Sequence, residues 1–238
     1  MADFKQILHR NIQQIGLDTT PDQLRDIDLF RTELLRWNDM VNLTRITAPE
    51  DFAIKHVIDS LVLYKYLRIP MEAKVIDVGT GPGIPGLLMK ICRPDLSLTL
   101  LESVRKKTDF LTYVSQRLGQ GNIDIINDRA EKTAHDAGHR EQYDVAVARA
   151  VSNLRVLSEL CIPFVKVGGI FVAMKGTDSQ PEIQEAYKAI DIMGGKLEKK
   201  WDYTIGEEVG RRLVVIRKVK STPVKYPRKP GMPAKSPL

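Results

Sequence analysis

Long apolar runs are missing from this 238-residue chain. No stretch approaches the roughly 20 residues a membrane span needs, and no charged-then-apolar leader opens it, so a soluble cytoplasmic protein is expected. Cysteine is scarce: Cys92 and Cys161 are the only two, each on an apolar stretch and without C-x-x-C spacing. Both read as core thiols rather than as ligands or a disulfide, which suits a reducing cytosol. The four histidines show no metal-ligand spacing, and no metal site is expected. Acidic residues are missing from 220–238, where Lys220, Lys225, Arg228, Lys229 and Lys235 supply five of the six net positive charges. A basic end of this kind suits a polyanion, nucleic acid foremost, with a merely solvated tail as the alternative.

What the chain does have is glycine in one place. Lys74 to Gly86 reads K-V-I-D-V-G-T-G-P-G-I-P-G, with Leu87, Leu88 and Met89 following. Val75, Ile76 and Val78 predict a buried strand that stops at Gly79, and a helix is expected to start near Pro85. Glycines remove side chains where a ligand must approach the backbone, and the amides at the start of the next helix point out of the turn. Gly81, Gly83 and Gly86 satisfy G-x-G-x-x-G, and Glu102 stands about 20 residues downstream, placed to accept ribose hydroxyls. Spacing alone fits a dinucleotide and S-adenosylmethionine equally. Asp77 separates them, since a carboxylate there repels a pyrophosphate but suits a cationic sulfonium and an α-amino group. S-adenosylmethionine is the better fit.

The first segment, from about residue 3 to 68, reads as helical. Thr20, Pro21 and Gln23 form a capping signal, and Leu24, Ile27, Phe30, Leu34, Trp37 and Val41 make one apolar stripe at spacings of three and four. Ala53 to Leu67 reads as further helix, and Asn42, Thr44, Lys55, His56 and Asp59 read as surface or capping groups. After the glycine loop, strands and helices alternate, which predicts a parallel sheet covered on both faces. Strands are expected at Ser97 to Leu101, Ile123 to Ile126, Val145 to Ala148 and Ile170 to Met174. Ser103 is expected to cap the helix after the second strand, and Gly119 to end it. Two more strands near Leu197 to Ile205 and Leu213 to Val219 predict a hairpin. Prolines 223, 227, 230, 233 and 237 predict an extended or disordered tail.

The fold class expected is therefore α/β, a class I S-adenosylmethionine-dependent methyltransferase: a Rossmann-like, seven-stranded, mostly parallel sheet with a terminal antiparallel hairpin. Its parts are a helical segment over 1–68 packed on the catalytic domain, the methyltransferase domain over 69–219, and the basic tail over 220–238. Ligands bind such sheets outside the carboxyl ends of the strands. That places Asp77, Gly79, Thr80, Gly81 and Ile84 after the first strand, Glu102 after the second, and Asp128, Ala130 and Glu131 after the third. Arg149 follows the fourth and Lys175 the fifth. Residues 128 to 131 would flank the adenine. Arg149 would clamp the methionine carboxylate or an RNA phosphate, or sit in a structural ion pair, because an unpaired buried guanidinium is costly.

The turn after the fourth strand restricts the nucleophile. Exocyclic amine methylation commonly uses Asn/Asp-Pro-Pro-aromatic there, whereas this chain has Ala148-Arg149-Ala150-Val151-Ser152. Carbon methylation of cytosine uses a Pro-Cys pair, and neither cysteine follows a proline. Guanine N7 already exposes a lone pair and carries no proton, so alignment suffices. No catalytic acid or base is expected, and Arg149 and Lys175 would position the substrate. A NAD-dependent oxidoreductase and a non-catalytic RNA-binding protein are the rival readings.

Six segments together resemble the RsmG (GidB) family of 16S ribosomal RNA guanine-N7 methyltransferases. They are W-N-D-M-V-N-L-T at 37 to 44, K-H-V-I-D-S-L at 55 to 61, D-V-G-T-G-P-G-I-P-G at 77 to 86, A-V-A-R-A-V at 146 to 151, M-K-G at 174 to 176, and Y-P-R-K-P-G-M-P-A-K-S-P-L at 226 to 238. The resemblance covers almost the whole chain. It implies S-adenosylmethionine contacts at Gly79, Ile84, Ala130, Glu131 and Arg149, and a guanine of 16S ribosomal RNA, bare or in the small subunit, as substrate. It further implies that the polar residues from 42 to 59 and the tail border the RNA. A monomer is expected.

Overall fold

The computed structural model describes residues 4–206 and 209–238. Residues 1–3, where the helical reading begins, lie outside the described residues. The chain opens with α1 (Phe4–Gln14) and α2 (Pro21–Val41). Thr20 and Gln23 close a reciprocal capping box at the start of α2, and Asn42 ends it in the left-handed conformation at φ 53°. A further helical run follows as α3 (Pro49–Phe52), a π-helical stretch (Ala53–Ile58), α4 (Asp59–Leu61) and α5 (Leu63–Tyr66).

Seven strands make one sheet: β1 (Lys74–Val78), β2 (Ser97–Glu102), β3 (Ile123–Asn127), β4 (Tyr143–Arg149), β5 (Val165–Gly176), β6 (Gly195–Ile205) and β7 (Val209–Lys218). Their order is β3-β2-β1-β4-β5-β7-β6. β1 to β5 run parallel, and β7 pairs antiparallel with both β5 and β6. The helices between strands are α6 (Gly86–Cys92), α7 (Arg105–Leu118), α8 (Ala130–Thr133), α9 (Leu154–Cys161) and α10 (Gln180–Ile192). This is the expected mostly parallel sheet with an antiparallel end. β1 lies between β2 and β4, so the strand order reverses beside it and opens a crevice at the strands' carboxyl ends.

Alternate strand residues enter separate cores, as the period of two requires. Val75, Val145, Val147 and Val172 pack with α1, α2, α6 and α7, while Ile76, Ala146, Phe171 and Val214 pack with α9 and α10. The amino-terminal helices share the first core with the sheet. Trp37 lies 5.3 Å from Tyr113 of α7, ring centre to ring centre. Burial of this apolar stripe holds those helices on the sheet.

Two expectations fail here. Ser103 does not cap α7: its N-cap is Val104 without a side-chain bond, and Glu102 Oε1 accepts the Val104 amide at 2.9 Å instead. The tail is neither extended nor disordered. Arg228 donates to the buried Glu159 at 2.6 Å, and His135 Nε2 lies 2.8 Å from the Pro227 carbonyl. Arg140 donates to the carbonyls of Thr222 and Tyr226, and Met232–Lys235 forms α11. Proline excludes a long helix or strand, but it leaves carbonyls free, and neighbouring side-chain donors bind them.

Candidate active site

The glycine loop is built from its own backbone. Gly79, Gly81 and Gly83 have φ of +71°, +60° and +95°, a region that L side chains avoid. The amides of Gly79 and Thr80 donate to the Leu101 carbonyl at 2.8 and 3.2 Å, which ties the loop to the end of β2. Asp77 is fully buried: Oδ2 accepts the Thr80 hydroxyl at 2.6 Å and the Gly86 amide at 2.8 Å. Its Oδ1 is buried without a partner. Burial raises the Asp77 carboxyl to about 6, against the lowering effect of those two bonds. Asp77 was expected to face a cationic ligand, and the structure instead spends one of its oxygens on pinning the loop. Thr80 and Ile84 are buried with it.

Glu102 closes the other side. Oε2 accepts the Gly81 amide at 3.0 Å and Oε1 the Val104 amide. Each carboxylate oxygen retains a lone pair for a further donor. Beyond it lies a hollow of about 150 Å³ lined by Gly79, Ser103, Ala130, Glu131 and Val151. A Cβ on Gly79 would stand 2.9 Å from Val151 Cγ2, so only glycine leaves the floor open. Glu131 Oε1 accepts the Gly231 amide at 2.8 Å, which joins the hollow's wall to the tail.

A second hollow of about 400 Å³ adjoins it, lined by Ile46, His56, Asp59, Arg149, Ala150, Lys175 and Arg211. Ala150, at φ +56°, and Val151 line opposite hollows, so the turn after β4 forms the partition. Lys175 holds that turn. Its Nζ donates to the Ser152 carbonyl at 2.8 Å and pairs with Glu182 at 2.7 Å.

Arg149 is the hub of the second hollow. Its Nη1 donates to the Lys55 carbonyl at 2.8 Å and to Asp59 Oδ2 at 3.1 Å, and Nη2 lies 3.1 Å from His56 Nδ1. The π-helical turn makes the first bond possible: the Asp59 amide turns to the carbonyls of Ile54 and His56, leaving that of Lys55 to Arg149. Asp59 also accepts the Tyr203 hydroxyl at 3.0 Å and pairs with Arg211 at 3.4 Å. His56 completes the chain with Thr44 Oγ1, 2.8 Å from Nε2. Burial, then the neighbouring Arg149 charge, lowers His56 to about 3, so it is neutral. His56 and Asp59 are therefore not the surface groups their pattern suggests: both are buried. Asn42 and Lys55 are peripheral as expected, Asn42 ending a helix and Lys55 pairing with Asp51.

Of the anticipated residues, Gly79, Asp128, Ala130 and Glu131 share the first hollow, Gly81 and Glu102 are bonded to each other, and Arg149 and Lys175 meet in the second. Tyr203 and Arg211 went unseen, and no local pattern marks them. His56 and Asp59 carry one signal, a spacing of three that puts both on one helical face. Among the described residues no group of three or more His, Cys, Asp or Glu side chains could hold a metal, and no helix is long and apolar enough to cross a membrane.

A family model described as rRNA small subunit methyltransferase G matches residues 23–206. The chain is 44% identical over 237 residues to the Ribosomal RNA small subunit methyltransferase G of Alkaliphilus metalliredigens, covering 99% of each chain. It is 45% identical over 240 residues to the protein of that name from Moorella thermoacetica, covering both completely. Among solved structures, M. jannaschii TYW2 in complex with AdoMet superposes with a TM-score of 0.52 at 13% identity, over 63% of this chain and 72% of that one. That likeness concerns the fold.

Proposed function

The chain belongs to the rRNA small subunit methyltransferase G family, and from that premise we propose that it transfers a methyl group from S-adenosylmethionine to N7 of a guanine in 16S ribosomal RNA. The observation that carries this reading is the pair of hollows divided by the Ala150–Val151 turn. One has a glycine floor and carboxylate walls, and the other is walled by arginines.

The first hollow fits the cofactor. Glu102, between the lining residues Leu101 and Ser103, has lone pairs left for ribose hydroxyls. Gly79 leaves room that any side chain would fill. Gly79, Gly81, Glu102, Ala130 and Glu131 would hold the adenosine end, with Asp77, Thr80 and Ile84 shaping the loop beneath and Arg149 at the methionine end. When bound, S-adenosylmethionine supplies a methyl group on a cationic sulfonium.

The second hollow orients the base. Guanine N7 has no proton to lose, so no general base is required. His56 could not serve as one, because its Nδ1 lone pair faces an arginine hydrogen. Arg149 keeps Nε and one Nη2 hydrogen unspent in its bonds to Lys55, Asp59 and His56, and these can meet a phosphate or base oxygen. Lys225, Lys229 and Lys235 stand exposed on the docked tail and would follow the RNA backbone. The protein acts on 16S RNA or the small subunit as a cytoplasmic monomer, with 1–68 walling the base hollow, 69–219 holding the cofactor and 220–238 bracing Glu131.

Labelled methyl transfer to small subunits and to bare 16S RNA, both from cells lacking this protein, tests the reading. Label in 7-methylguanosine is expected from one of them. Label in another nucleoside, or in neither RNA while cofactor binds, overturns it.

A further inference from the structure

The half-buried Thr44 hydroxyl is held between two groups that line the second hollow, Ile46 and His56. A guanidinium has hydrogen-bond donors and no acceptor, so the contact from Arg149 Nη2 to His56 Nδ1 at 3.1 Å makes Nδ1 an acceptor. The single proton of the neutral ring then sits on Nε2 and is donated to Thr44 Oγ1 at 2.8 Å. The Ile46 amide donates to the same oxygen at 3.0 Å. Both lone pairs are now occupied. The hydroxyl proton has no acceptor among the described residues, and the two groups that fix it, Ile46 and His56, line the second hollow.

We infer that Thr44 reads position 6 of the target purine, presenting a hydroxyl that can donate but cannot accept. On its N7 side guanine offers O6, an acceptor, whereas adenine offers an amino group, a donor. A hydroxyl with spare lone pairs would tolerate either base. This one bonds O6 and is left facing a second donor when adenine enters, the arrangement by which polar sites discriminate most strongly. Arg149 thus acts on base choice at second hand, by fixing the tautomer of His56. The inference rests on the proposed guanine-N7 reaction and deepens it.

A double-mutant cycle between protein and base tests it. Small subunits are assembled on 16S transcripts carrying, at the methylated position, either guanine or 2-aminopurine, which keeps N7 and lacks O6. Wild type, Thr44→Ser and Thr44→Val are compared by kcat/KM and by cofactor affinity. Loss of O6 should cost wild type about tenfold, the worth of one neutral hydrogen bond. Thr44→Val should lose about tenfold on guanine and little more on 2-aminopurine. Thr44→Ser should stay within about twofold of wild type on both bases, with cofactor affinity unchanged. Valine also strands the His56 and Ile46 donors, and that structural damage would lower both substrates equally. Equal losses, or no loss on guanine, overturn the assignment. Absence of 7-methylguanosine from wild type acting on the guanine transcript, both bare and assembled, would instead bring down the reaction on which it rests.

Discussion

The two hollows of the crevice are held together by different kinds of bond. Around the first hollow, carboxylates bond backbone amides: Asp77 that of Gly86, Glu102 those of Gly81 and Val104, Glu131 that of Gly231. Around the second hollow, Arg149, Asp59, Arg211, His56, Tyr203 and Thr44 are linked mainly side chain to side chain. Backbone amides cannot be mutated away, so the first hollow should tolerate side-chain change better. The second should fail as a unit, because removing one partner leaves others charged and buried.

The largest effect expected is therefore at Asp59. Asp59→Ala leaves Arg149 and Arg211 uncompensated and should cost about 3–5 kcal/mol in chemical denaturation. A loss below about 1 kcal/mol would show the network to be solvated after all. In the other hollow, Gly79→Ala should cost about 1–2 kcal/mol from its φ of +71° and weaken cofactor binding by forcing Val151 aside. Adding Val151→Ala should recover binding, measured calorimetrically, but not stability, since the backbone strain stays.

Acid should act on the hollows with opposite sign. His56, ordinarily near 6.5, is lowered to about 3, so its contribution is complete above pH 6.5. As pH falls towards 3, only the unfolded chain takes the proton, and stability is lost at about 1.4 kcal/mol per unit. Asp77 is raised from 3.8 to about 6, so its contribution is complete below pH 3.8 and is lost as pH rises through 6. Between these limits the two slopes oppose. Relative to wild type, His56→Gln should make the slope of stability against pH more negative between pH 3.8 and 6, and Asp77→Asn should make it more positive, each read from unfolding midpoints across that range. The smallest effect expected is at Glu102. Glu102→Gln keeps one oxygen acceptor and should weaken S-adenosylmethionine by about tenfold while leaving RNA affinity unchanged.

The difference between the hollows also explains which was legible. The glycine loop is local: its φ values, its strand and its helix start lie within thirteen consecutive residues, and the motif marks all three. The Thr20 capping box and the Gly119 helix stop are equally local and are as expected. Arg149 was recognised as needing a partner, but Asp59 is 90 residues away and Tyr203 a further 144 from Asp59. Nothing near Thr44 shows that its hydroxyl meets a buried imidazole. The tail misled for a related reason. Proline spacing excludes regular structure but says nothing about whether carbonyls at 222, 226 and 227 will find Arg140 and His135.

Residue order alone sets the alternation of strand and helix, the face each strand residue takes, the glycine turn and an acid at the carboxyl end of each of the first two strands and just past the third. These follow from steric preferences and periodicities that act over two to four residues. Long-range packing turns Asp77 inward, shares Arg149 among Lys55, His56 and Asp59, and lays the tail on Glu131 and Glu159. A buried charge takes whichever partner packing delivers, because leaving it unpaired costs more than any local preference can offset.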